Sequence, residues 1–127
     1  MKTLRLSIGK KPLKLGVFII KPGKDVQIYL GGGASPHIGS IAISQPRPSL
    51  QNPSRISCTT SVFNLLGHKD NEPAVLFAEG FCKKFNCTTV VSAGIHFNNA
   101  TPENLEKVMG LVKDLLEKSL KKWDIIE

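Results

Sequence analysis

Apolar and polar residues alternate with a period of two over several stretches of the chain, the mark of strands that bury one face. Thr3-Leu4-Arg5-Leu6-Ser7-Ile8 turns Leu4, Leu6 and Ile8 inward, and Gly9-Lys10-Lys11-Pro12 ends it. Leu13 to Ile20 is a second extended run, closed by the Pro-Gly turn signal of Lys21-Pro22-Gly23-Lys24. Asp25 to Leu30 alternates again, Ser40 to Ser44 reads as a strand, and Ile56 to Phe63 is another, rich in small hydroxyl residues. The short connections among the first three predict antiparallel pairing.

The period then changes. Val75, Leu76, Ala78, Phe81, Cys82 and Phe85 recur near helical spacing, with Asp70, Asn71 or Glu72 as cap, Pro73 in the first turn and Asn86 as stop. A second helix is predicted from Pro102, behind an N-cap at Thr101, to about Lys122, with Leu105, Val108, Met109, Val112, Leu115, Leu116 and Ser119 along its buried stripe. Trp123, Ile125 and Ile126 trail after it.

Between the helices, Thr89 to Pro102 holds a further strand with two unlike faces. Val91, Ala93, Ile95 and Phe97 are apolar, while Ser92, Gly94, His96 and Asn98 are polar but uncharged. A solvated face would carry Lys, Glu and Thr. Strands, helix, strand, helix, with no repeated βαβ unit, predicts the α+β class: a mainly antiparallel sheet of about six strands with two helices packed on one face. The other face is then free to bind a ligand or a second subunit.

Two stretches break the pattern. Gly31-Gly32-Gly33-Ala34-Ser35-Pro36-His37-Ile38-Gly39 is irregular, and three adjacent glycines point to a flexible turn or to a close backbone approach to a ligand. No Gly-Lys-Ser/Thr ending follows, so it is no phosphate-binding P-loop, and no helix opens after it, so it is no dinucleotide fingerprint. Gln45-Pro46-Arg47-Pro48-Ser49-Leu50 reads as a stiff loop whose two prolines hold out Arg47. His68 and Lys69 stand at the entrance to the first helix, where an anion is favoured.

Composition narrows the classes. The chain's 127 residues suit one domain, 1–127, and 41% hydrophobic with 21% charged residues is ordinary for a globular protein. No apolar run approaches the roughly 20 residues of a membrane span, and the N-terminal residues lack a signal-peptide core, so a soluble cytoplasmic protein is expected. Cys58, Cys82 and Cys87 form no Cys-x-x-Cys pair and read as reduced thiols; His37, His68 and His96 lack metal-site spacing. A net charge of +7 suits an anionic partner, but without aromatic interleaving or a nucleic-acid motif the excess reads as solvated lysine.

Four short runs resemble a known family. His37-Ile38-Gly39, Pro46-Arg47-Pro48-Ser49, Gly67-His68-Lys69-Asp70 and Ala93 to Pro102 look like the small LpdD-like proteins, described as prenylated-flavin chaperones and as a small accessory component of gallate decarboxylase. The resemblance covers about residues 13–122, and the family is said to share the fold of proteasome assembly chaperones, small α+β domains that dimerise. It implies a non-catalytic partner that binds or delivers prenylated FMN, or FMN, to a UbiD-like decarboxylase, and a homodimer. The positions it carries over are His37, Gly39, Arg47, His68, Lys69, His96, Asn98 and Asn99. Arg47 and Lys69 would meet the phosphate, and His96, Asn98 and Asn99 the ring edge or ribityl hydroxyls. With six Phe, one Tyr and one Trp there are few stacking partners, so a pocket shared across a dimer seam is expected. Two rivals stay open: a protein-assembly chaperone or decarboxylase subunit with no ligand of its own, and a small histidine-dependent enzyme.

Overall fold

The computed structural model describes residues 1–65, 71–98 and 101–126. Six strands and two helices follow in the order β1 (Lys2–Lys10), β2 (Leu13–Lys21), β3 (Val26–Gly33), β4 (Ser40–Pro48), β5 (Ile56–Asn64), α1 (Asn71–Phe85), β6 (Thr89–His96) and α2 (Pro102–Ile125). They form one sheet with strand order β1-β2-β3-β6-β4-β5. Every pairing is antiparallel except that of β3 with β6. The α+β class and the helices on one face are as expected. The parallel pair arises because α1 carries the chain back over the sheet and lays β6 between β3 and β4, a placement set by long-range packing rather than by a turn.

Two expected loops are strand. Gly31, Gly32 and Gly33 continue β3 and pair with Gly94, Ile95 and His96. Pro46, Arg47 and Pro48 continue β4 and pair with Cys58, Ser57 and Ile56. Prolines are tolerated there because β6 reaches along β4 only as far as the Ser44–Thr89 pair, so β4 beyond it has an empty side where a missing N–H costs nothing. The second helix is also longer than expected: Trp123 lies within α2, is 1% exposed, and meets Phe81 of α1 edge-on at 6.4 Å.

The core lies between the helices and one face of the sheet. Leu15, Val17, Ile19, Val26, Ile28, Leu30, Ala42, Val91 and Ala93 point into it, against Ala74, Phe77, Ala78 and Phe81 of α1 and Val108, Val112, Leu115 and Trp123 of α2. The hydroxyl-rich β5 has a partner too. Thr60 donates to Glu79 Oε2 of α1 at 2.6 Å and shares a 2.8 Å hydrogen bond with buried Ser44, which satisfies polar groups that would be costly to bury alone. Among the described residues no helix is long and apolar enough to cross a membrane.

Candidate functional site

The sheet face away from the helices is built by the residues that alternate with the core. Register places Arg5 beside Phe18, Phe18 beside Tyr29, Tyr29 beside Ser92 and Ser92 beside Ile41. His96 and Gly94 extend this row toward the ends of β3 and β6. The polar face expected of Ser92, Gly94 and His96 therefore lies on the side of the sheet away from the helices, with His96 exposed, Ser92 half-buried and Gly94 covered.

At that end the chain Ala34–Gly39 arches over β6 and is tied down twice, by Ala34 N–H to the His96 carbonyl and by Gly39 N–H to the Ala93 carbonyl, both 2.8 Å. Between the ties the His37 backbone comes to rest on Gly94, where any Cβ would overlap the His37 carbonyl. Tyr29 Oη donates to the same carbonyl at 3.0 Å. Gly33, at φ +79°, makes the turn into the arch close against the His96 carbonyl. The result brings His37 and His96 together, with ring centroids 6.3 Å apart and nearly perpendicular. His37 Nδ1 lies 2.9 Å from the Ser35 carbonyl, an acceptor only, so that nitrogen carries the hydrogen.

Beside the arch an open cleft of about 520 Å³ runs along β1, β2 and β3, lined among others by Arg5, Lys11, Lys14, Gly16, Phe18 and Tyr29. Its volume is within the range of small-molecule and cofactor sites. Gly16 leaves the floor low, since a Cβ there would have only the Leu6 carbonyl, 3.7 Å away, within 4 Å. Phe18 forms part of the lining, with the Arg5 guanidinium 4.5 Å above its ring, while Lys11 and Lys14 add positive charge. Such a cleft suits a flat, anionic, largely apolar molecule: glycine and aromatic rings for the plane, cations for a phosphate or carboxylate.

The predicted residues divide by place. His37, Gly39 and His96 gather at the arch. Asn98 follows the end of β6 and lines a separate cavity of about 280 Å³ with Leu13, Phe97 and Asn104 of α2. Arg47 is not with them. It lies seven residues along β4 from Ser40, roughly 23 Å at the rise of an extended strand, and its guanidinium bonds Thr59 Oγ1 at 2.9 Å and the Pro48 carbonyl at 3.1 Å. His68, Lys69 and Asn99 lie outside the described residues.

Residues 9–124 match the family described as the prenylated flavin chaperone LpdD-like domain. The chain belongs to this family. No curated protein matches its sequence. Among solved structures, it is similar to a chain of a chaperone complex for yeast 20S proteasome assembly, with 20% identity, a TM-score of 0.60, and coverage of 97% of this chain and 94% of that one. At that identity the likeness is one of fold. The family's name links its members to prenylated flavin and to chaperone work. The cleft residues Arg5, Lys11, Lys14, Phe18 and Tyr29 were not among those singled out from the sequence. Arg5, Phe18 and Tyr29 do alternate with core positions, but only the sheet order brings them side by side.

Proposed function

We propose that this LpdD-like chain holds prenylated FMN, or FMN, in the cleft beside the arch and delivers it to a UbiD-like decarboxylase. The observation that carries the reading is the joining of cationic Arg5, Lys11 and Lys14 to the Phe18 and Tyr29 rings over a glycine floor. The phosphate would meet the three cations, and the ring system would lie along Phe18 and Tyr29 toward His37 and His96. His37, Gly39, His96 and Asn98 would shape that end, with His68, Lys69 and Asn99 as further candidates, and Arg47 would act elsewhere. An open cleft suits a carrier, which has to release what it binds. The chain would work in the cytoplasm beside its decarboxylase, as a homodimer and without catalysis of its own.

Titration of the purified protein with FMN and with prenylated FMN, followed by flavin absorbance and fluorescence, tests this. Saturable binding is expected. Arg5→Ala or Lys14→Ala should weaken it roughly ten-fold, the worth of one charged hydrogen bond, with little change in melting temperature, whereas Arg47→Ala should leave it alone. Absence of saturable binding overturns the carrier. A stable complex with a UbiD-like decarboxylase formed without flavin would then favour the assembly role, for which the exposed Ile43 and Phe63 offer apolar contact. Decarboxylase turnover by this chain alone would make it an enzyme.

A further inference from the structure

Among the described residues the sheet ends in two edges of opposite character: β1 pairs only with β2, and β5 only with β4. Each therefore leaves a row of backbone N–H and C=O groups that another strand can complete. The edge β1 is protected by charge. Were two copies to align β1 antiparallel over all nine residues, Lys2–Lys10, each Lys2 would face Lys10 of the second copy, an unfavourable like-charge pair made twice.

No such protection exists on β5. Its nine residues, Ile56–Asn64, include no charge and no proline. Exposed large apolar side chains concentrate here as well: Ile56 is 40%, Val62 43% and Phe63 65% exposed, and Leu65 follows at 36%. The strand also fits itself. Aligned antiparallel over its full length, Thr60 meets Thr60 of the second copy, Thr59 meets Ser61, Cys58 meets Val62 and Ser57 meets Phe63. Hydroxyls thus pair at the centre and Cys58 with Val62 beside them, combinations that stabilise a sheet, while the outer pairs Ser57–Phe63 and Ile56–Asn64 set no charge against charge.

We infer that two copies of this chain join edge to edge through β5, making one continuous sheet of twelve strands about a two-fold axis. The inference rests on the proposed homodimer only in requiring that two copies associate. It is independent of any flavin. Because the joint is an edge, the cleft on β1 to β3 stays open in each copy, at the far side of the sheet.

Sedimentation velocity over a dilution series tests it. The unaltered chain should run as a dimer that dissociates on dilution. Thr59→Lys/Ser61→Lys replaces two exposed side chains and sets lysine against lysine twice across the joint. It should weaken the dimer at least about ten-fold while circular dichroism and flavin titration stay as in the unaltered chain. The matched double variant Thr3→Lys/Ser7→Lys on β1 should have no such effect. An unaltered chain that is monomeric throughout overturns both the homodimer and the joint. A dimer that survives Thr59→Lys/Ser61→Lys but is broken by Ile43→Lys, on the open face, overturns the β5 joint alone.

Discussion

One sheet presents two faces that differ in what a side chain is asked to do. On the helix side Leu15, Ile19, Leu30, Ala42, Val91 and Ala93 are wholly buried, and their volume and apolarity decide stability. On the open side Arg5, Phe18, Tyr29, Gly94 and His96 occupy the alternating positions of the same sheet and remain partly reachable or shape the arch. The lesson is that neighbouring residues one step apart along β2, β3 and β6 answer to different constraints. A substitution should be judged by the face it lies on, not by the element that contains it.

The sharpest way to break this contrast is through the covered face. Phe77→Ala removes a fully buried ring that stacks with Phe81 at 6.4 Å and should cost about 4 kcal/mol. Chemical denaturation measures it, and the loss should appear with or without ligand. A change below about 1 kcal/mol would mean that the helices do not cover the sheet as described.

Gly94→Ala tests the open side. Its Cβ would overlap the His37 carbonyl, so the arch must lift or β6 must shift, at roughly 3 kcal/mol if the backbone resists. Flavin affinity should fall with it, because Tyr29 loses its acceptor on His37. Ser92→Ala, on the same strand face with Ile41 and Tyr29 as register partners, should leave both stability and binding nearly unchanged. If Gly94→Ala binds flavin as well as the unaltered chain, the arch does not form part of the site.

The smallest effect concerns pH and belongs to the covered face alone. Burial, followed by the influence of neighbouring Cys58, pushes the Cys82 thiol from an ordinary 9.0 up to about 11. In the unfolded chain the same thiol ionises near 9.0. Between these values the folded state retains a proton that the unfolded state has released. Stability therefore falls as pH rises through the window, and this contribution is complete only below it. Unfolding free energies followed from pH 9.0 to about 11 should decline by about 2 kcal/mol more in the unaltered chain than in Cys82→Ala. Equal declines in the two proteins would place the thiol in contact with water.

Much of this molecule is legible in its pattern of residues, and the failures are informative. Period-two alternation marks β1, β6 and most of β3, β2 reads as an extended run and β5 as a strand of mixed pattern, and the Thr101-Pro102 start of α2 appears as expected, with Thr101 Oγ1 accepting from Asn104 N–H at 3.2 Å. Gly31 to Gly33 and Pro46 to Pro48 looked like loops because glycine and proline are poor strand formers by themselves. They are strand because β6 pairs with the first and β5 with the second. For the site, the family resemblance groups His37, His96 and Arg47; the two histidines do lie together, whereas Arg47 is held at the other end of β4. The cleft cations gave no signal because an Arg or Lys on an alternating strand looks the same whether it faces water or a ligand.

The order of amino acids by itself determined which residues turn toward the helices, where α2 begins, and the α+β class, since periodicity and capping act over a few residues at a time. Only the tertiary structure decided that β6 enters parallel to β3, that Phe18 and Tyr29 stand side by side, and that His37 rests on Gly94. Those relations join residues far apart in the chain. They depend on which strands become neighbours, a choice made by packing the two helices over one face and not encoded in any single stretch.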